Sequence, residues 1–191
     1  MKKIKSEDSA YPKRLKEIKD APDVLYINGN EEELNSPCLA VVGSRNCTEY
    51  GEKWCKFFVK KLVKHGITIV SGMALGIDSI AHKTALKYGG KTIAVLPCGF
   101  DNIFPKENIN LYNEILNYNG AIITEYEKDC KAGYQRFLSR NRIVSGMSMG
   151  VLVVEAAHRS GTSVTARFAK LQKRDVFCIP RKFRKFKKCR N

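Results

Sequence analysis

The sequence predicts an α/β chain built on an open, doubly wound parallel sheet with helices on both faces. Three observations carry this. Short β-branched apolar runs recur at 39–42, 67–70, 92–96, 121–124, 151–154 and 176–179. Runs of four or five apolar residues suit strands buried on both faces. Helical stretches separate the runs, and strand–helix alternation is the pattern of a parallel sheet.

Residues 1–36 read as a lead-in. Tyr11-Pro12 followed by Leu15 and Ile18 predicts a short helix, and 24–27 predicts a strand stopped by Asn28-Gly29-Asn30. The main domain is expected over 37–180. Its first helix spans about 52–64, with Trp54, Phe58 and Leu62 on one face and Cys55, Val59 and Val63 beside them. Lys53, Lys56, Lys60 and Lys64 line the opposite face and read as solvated. Gly66 follows as a C-terminal stop. Further helices are expected at 77–88, 108–119, about 137–147 and 163–172.

The chain has 191 residues, enough for one domain with a small appendage, and its 43% hydrophobic content supports a core. No apolar run approaches the roughly 18 residues of a membrane helix, and the basic start lacks a signal-peptide apolar region. A cytoplasmic setting is expected. The seven cysteines (38, 47, 55, 98, 130, 178 and 189) are odd in number and form no C-x-x-C pair, which favours free thiols over disulfides or zinc.

The net charge is +15, which points to a polyanionic partner. Seven of those excess charges lie in the tail, 181–191, so the other 180 residues carry +8. Solvated lysines are the alternative source of the body charge.

In open α/β sheets ligands bind outside the carboxyl ends of the strands, so the residues after each strand are the candidates. After the first come Gly43, Ser44, Arg45 and Thr48. A glycine for close approach, an arginine and a helix start make an anion site, and Thr48 suits an N-cap. After the second come Gly72 and Gly76, a turn that lacks the dinucleotide fingerprint and a P-loop lysine, so no cofactor is expected. Asp78 and His82 share a helical face there, either as an acid–base pair or as a helix-start acid and a packing histidine.

After the third strand a long loop carries Phe104 and Lys106. After the fourth come Glu125 and then Phe137, Arg140, Asn141 and Arg142. On one helix the two arginines point to different sides, so one is free for phosphate and the other for a loop or carboxylate. After the fifth come Glu155 and Arg159-Ser160-Gly161-Thr162. Basic groups interleaved with aromatics suit single-stranded nucleic acid, where charges follow phosphates and rings stack on bases. The carboxylates Asp78, Glu125 and Glu155 pair with the arginines or accept from a base or ribose.

Several motifs resemble the DNA-processing protein family DprA/Smf. They are Gly43-Ser44-Arg45 with Thr48 and Tyr50-Gly51, and Ser71-Gly72-x-Ala74-x-Gly76-Ile77-Asp78-x-x-Ala81-His82. Phe104-Pro105-x-x-Asn108 and Phe137-x-x-Arg140-Asn141-Arg142-Ile143 match too, as do 153–157 through Ser160-Gly161-Thr162 to Thr165-Ala166 and the lead-in Tyr11-Pro12 and Leu25-Tyr26-x-x-Gly29. The resemblance runs over about 11–180. It implies an extended Rossmann-like fold without a dinucleotide, single-stranded DNA binding, protection of incoming strands, and loading of the recombinase RecA in natural transformation or recombination. By position it implies Arg45, Lys106 and Arg140 as phosphate contacts and Phe137 as a stacking ring, with Asn141 and Arg142 in the same motif. No catalytic residue and no metal are implied.

The family continues after the last strand as Val-Pro-Gly, whereas here Ile179-Pro180 is followed by Arg181 and the basic tail. The homodimer and RecA surfaces that the family builds from that region are therefore expected to be altered. The alternative reading is a nucleotide-binding or nucleoside-monophosphate phosphoribohydrolase-like protein on a related scaffold. The proline and trailing acids of that enzyme's Pro-Gly-Gly-x-Gly-Thr turn are absent from 159–165. A mononucleotide sensor would use the same phosphate turn.

Overall fold

The fold is that of a computed structural model, which describes residues 1–156 and 160–180. The expected Arg159 and the basic tail, with Cys189, lie outside the described residues.

One eight-stranded sheet organises the chain. Its strands are β1 (Lys2–Lys5), β2 (Val24–Gly29), β3 (Cys38–Val42), β4 (Thr68–Ser71), β5 (Thr92–Val95), β6 (Ala121–Thr124), β7 (Gly150–Val153) and β8 (Asp175–Cys178). The order across the sheet is β1-β2-β6-β5-β4-β3-β7-β8. The six strands read from the apolar runs are parallel, and β3 lies between β4 and β7, with Ala40 opposite both Val70 and Val151. The residues of β3 to β7 are almost all buried, as continuous apolar runs require. β8 instead is an edge strand with Asp175, Phe177 and Cys178 exposed and Val176 half-buried, so the last apolar run is not the buried strand expected.

The lead-in extends this sheet. β2 pairs antiparallel with β6, and β1 pairs antiparallel with β2, so the whole sheet is mixed. β1 escaped the sequence reading because Lys-Lys-Ile-Lys offers one apolar residue, and only Ile4 is buried. The short helix was foreseen and is α1 (Lys13–Lys16), with Leu15 buried. Tyr11 is buried too, and its hydroxyl donates to the Pro22 carbonyl at 2.6 Å.

The other helices are α2 (Glu49–Lys64), α3 (Ile77–Lys87), α4 (Ile109–Asn117), α5 (Tyr134–Gly146) and α6 (Gly161–Leu171). Thr48 caps α2 by accepting from the Gly51 N–H, and Ser160 caps α6 by accepting from the Ser163 N–H. α5 starts three residues before the expected Phe137, with no capping side chain to announce it. Two apolar layers form. Val41, Ile69 and Leu152 pack against Cys55 and Val59 of α2 and Ala81 and Ala85 of α3, and Ala94, Leu96 and Ile122 pack against α4. On the other face Ala40, Val70, Val95 and Val153 join Leu15, Ile143, Val144, Met147 and Ala169. So α2, α3 and α4 cover one face, and α1, α5 and α6 the other. Among the described residues no helix is long and apolar enough to cross a membrane.

Candidate nucleic-acid interface

The strand order reverses at β3. β4, β5 and β6 extend to one side, and the chain then returns to place β7 on the other. Such a switch point opens a crevice at the carboxyl ends of the strands, because the two adjacent loops leave in opposite directions. The crevice has a volume of about 650 Å³. The turn after β3 (Gly43, Ser44, Arg45, Asn46), the start of α3, the first half of α5 and the start of α6 line it.

The rim is cationic and aromatic. Arg45 is exposed, with its Cζ 5.3 Å from the centre of the Phe137 ring. The Phe137 ring meets Phe104 edge-on, centroids 5.4 Å apart at 74°. An exposed cation–π contact contributes about 0.5–1 kcal/mol, enough to orient the guanidinium without neutralising it. Tyr134 adds a 75% exposed ring on the same lip. The arginine's turn is held from below. Gly76 has φ +74°, and a Cβ there would lie 2.3 Å from the Ser44 carbonyl oxygen. Only a glycine lets the β4–α3 turn close so tightly on the β3–α2 turn. The Ile77 N–H then donates to that Ser44 oxygen at 3.1 Å, and Ser44 Oγ accepts from the Asn46 N–H at 3.2 Å.

The floor differs, and it corrects several expectations. Arg140 is not a free phosphate contact. It is 5% exposed, and its Nη1 donates to the Gly72 carbonyl at 2.6 Å and to the Val95 carbonyl. The guanidinium thus satisfies carbonyls at the ends of β4 and β5, where the strand ladder has stopped. Gly72 is corrected with it. Its N–H donates to Asp78 Oδ2 at 3.1 Å, and a Cβ would sit 2.6 Å from Arg140 Nη2. It is bare to admit the arginine, not a ligand.

Gly43 lines the crevice, but a Cβ there would strike the Ile77 side chain at 2.5 Å, so its bareness also serves the packing of α3 on β3. Asn141 lies on the floor, its Nδ2 donating to the Gly161 carbonyl at 3.2 Å. Arg142 is corrected as well. It leaves the crevice for the lead-in, forming a two-pronged pair with Glu125 at 2.8 and 2.7 Å and donating Nε–H to the Asp20 carbonyl at 2.9 Å. The expectation that the two arginines point apart holds.

The titratable groups are committed to the fold. Burial pushes the Asp78 carboxyl up, opposed by the Arg140 charge and the N–H donors of Ala74 and Gly72. His82 is fully buried on the same helix. Its Nδ1 lies 2.7 Å from Thr92 Oγ1, whose own hydroxyl donates to the Ile69 carbonyl at 2.8 Å. The threonine oxygen therefore accepts, and Nδ1 carries the proton. Nε2 has no partner, and burial lowers the imidazole to about 3. His82 is the packing histidine of the two readings, not an acid–base partner. Glu155 accepts from the Thr48 N–H at 3.0 Å and from its hydroxyl at 3.1 Å. Thr48 is thus the expected N-cap, tied to the β7 end and outside the crevice lining. Among the described residues no cluster of His, Cys, Asp or Glu could hold a metal ion, and six cysteines are free thiols.

Six of the ten expected binding residues line the crevice: Gly43, Ser44, Arg45, Phe137, Arg140 and Asn141. Thr48, Gly72, Lys106 and Arg142 do not. Lys106 is exposed in a short turn two residues beyond Phe104. The reading missed Tyr134, which lies before any apolar pattern, and the role of Asn108. Asn108 Nδ2 donates to the Met73 carbonyl at 2.7 Å and contacts Ser79 Oγ at 2.9 Å, pinning the Phe104 loop to α3. Its spacing from Phe104-Pro105 was the available signal.

The chain matches the family described as DNA recombination-mediator protein A over residues 2–190. It belongs to that family. Protein Smf of Escherichia coli is 45% identical over 177 residues, 93% of this chain and 47% of that protein. The X-ray structure of DNA processing protein A from Streptococcus pneumoniae superposes with a TM-score of 0.89 at 40% identity, covering 95% of this chain and 63% of that one. DNA processing protein A from Helicobacter pylori, whose structure is described for its single-stranded DNA binding mode, superposes at 0.84 with 36% identity, covering 94% and 84%. These likenesses support the expected Rossmann-like fold of the family. The chain spans about half the length of the E. coli protein.

Proposed function

We propose that the crevice binds single-stranded DNA, with Arg45 on phosphate and Phe137 against a base. The observation that carries this is the stack on the rim. An exposed guanidinium lies over one face of a ring that a second ring holds from its edge. A charge beside a partly exposed ring matches the alternating phosphate and base of an unpaired strand. Lys106, exposed beyond Phe104, extends the cationic side. Arg140, Asn141 and Gly72 support the surface from beneath, and residues 37–180 carry the site with the lead-in completing the sheet.

The role proposed is binding without chemistry. In its favour, Asp78, Glu155 and His82 are each held by structural partners. On the strength of family membership, the reading extends to protection of incoming strands, transfer to RecA, homodimer formation and a cytoplasmic setting in transformation or recombination.

Fluorescence anisotropy of labelled oligothymidylate and of a duplex of equal length, across a salt series, tests the site. The full chain is expected to prefer the single strand, and Arg45→Ala to weaken it roughly tenfold while lowering the salt slope by about 0.7, one phosphate contact. Both proteins share the basic tail, so its contribution cancels. Equal affinities and slopes for the two would overturn the assignment.

A further inference from the structure

The outer surface of the α2–α3 layer carries a charge pattern that neither the crevice nor the fold uses. From Lys53 to Phe100 the chain has eight lysines and a single acid, Asp78, which is buried. Lys53, Lys56, Lys61, Lys64, Lys83 and Lys87 are exposed. Among the described residues only Lys56 of the eight pairs with a carboxylate, that of Glu52. Lys56, Lys60 and Lys64 follow one another at four-residue spacing, where like charges destabilise a helix by about 0.2–0.5 kcal/mol per pair. Rings lie among these charges. Lys60 Nζ is 4.8 Å from the centre of the Tyr88 ring, and Lys61 Nζ is 5.9 Å from that of Phe57. Tyr88 is 40% exposed and Phe57 47%. Phe57 also sits edge-on to Trp54, at 5.4 Å, and Trp54 to Tyr50, at 6.1 Å.

The surface starts beside the crevice. Asn46 lines the crevice, and α2 begins three residues later at Glu49. The sixteen residues of α2 then run for ~24 Å, away from the carboxyl ends of the strands. We propose that this lysine–aromatic face is a second contact surface for single-stranded nucleic acid, on which a strand leaving the crevice continues along α2 toward Tyr88. The charge complements a polyanion, and the exposed rings favour unpaired bases over a closed duplex. Among the described residues the acids at the start of α2 are Glu49 and Glu52 in its first turn and Glu155, which is held by the Thr48 N–H and hydroxyl. The direction of the strand rests on the reading of the crevice given above. The surface itself does not.

The test compares a thymidylate hexamer, chosen to seat in the crevice without running the length of α2, with a thirty-mer, using the full chain. Lys60→Gln/Lys61→Gln/Lys64→Gln is expected to bind the thirty-mer about tenfold more weakly. Its salt slope should fall by about 2, three contacts at ~0.7 each. Hexamer affinity should stay that of the parent. Lys83→Gln/Lys87→Gln, on exposed positions of α3, gives a second variant with the same expected direction. Unchanged thirty-mer affinity in both variants overturns the inference. So does an equal loss for hexamer and thirty-mer, or an equal loss for a duplex of the same length. If Arg45→Ala leaves the hexamer bound as tightly as the parent does, the crevice reading fails by itself, and the thirty-mer data still decide the second surface.

Discussion

The rim and the floor of the crevice each present an arginine, and the two do opposite work. Arg45 is exposed, with its guanidinium over the Phe137 ring. Arg140 is buried, facing strand-end carbonyls and a buried carboxylate. Both belong to motifs whose residue types suit phosphate. What separates them is the surroundings: Arg45 follows a strand in an open turn, whereas Arg140 lies on the inner face of α5, above the ends of β4 and β5. Type and motif position therefore identify a crevice, but burial decides which cation in it is available to a ligand.

The largest expected effect breaks the floor. Arg140→Ala removes the donor to Gly72 and Val95 and leaves the Asp78 carboxylate without its neighbouring charge. Each buried carbonyl left without its donor costs about 1–3 kcal/mol, so losing both contacts costs roughly 2–6 kcal/mol. A urea titration should show the midpoint falling accordingly, whereas Arg45→Ala should stay within about 0.5 kcal/mol of the parent. Similar losses at the two positions would erase the distinction between rim and floor.

A second test asks how far the dry interior behind the floor extends. His82 lies one turn beyond Asp78, and its imidazole is held near 3 when folded against about 6.5 in an unfolded chain. Between those values the unfolded state binds the proton and the folded state does not. The stability from the neutral ring is thus complete above about pH 6.5 and declines as the pH falls toward 3. At pH 5 this amounts to about 2 kcal/mol, at 1.36 kcal/mol per pH unit. His82→Asn lacks the titration, so the gap between parent and variant should narrow by about that amount from pH 7 to pH 5 in denaturant unfolding. A constant gap would place His82 in contact with water.

The same contrast explains what could be read from the residues alone. The six parallel strands were legible because each is an apolar run with no polar alternative, as in Val151-Leu152-Val153. The crevice was legible because it follows from strand order. β1 was not, since a two-stranded antiparallel edge needs one buried side chain, and Ile4 alone supplies it. The fates of Arg140 and Arg142 were legible only as a divergence. Helical spacing sends the two apart, but the carbonyls of Gly72 and Val95, and Asp20 and Glu125, are brought to them by distant parts of the chain.

On the rim, Phe137→Ala should sharpen the comparison from the other side. One base–ring stack contributes about 1–3 kcal/mol, so affinity for oligothymidylate should fall on the order of tenfold. Because Phe137 also orients Arg45 and braces Phe104, Phe137→Tyr is the informative companion. It keeps the ring and should retain most of the binding. Comparable loss in both variants would mean that the ring supports the turn without meeting a base.

The smallest expected effect lies between the two regions. Thr48 has a rim position in sequence and a floor role in structure. Its Oγ1 accepts from the Gly51 N–H at 3.2 Å and donates to Glu155 Oε2 at 3.1 Å, joining the start of α2 to the end of β7. Thr48→Ala removes a helix cap and should cost about 1 kcal/mol, a fall of roughly 2–4 °C in Tm. Thr48→Ser keeps the oxygen and should recover most of it. DNA affinity should be unchanged in both, because the backbone N–H of residue 48 still donates to Glu155 and holds the Arg45 turn in place. If Thr48→Ala instead lost affinity while keeping its Tm, the hydroxyl would belong with Arg45 on the binding surface, and the boundary between rim and floor would move outward past the start of α2.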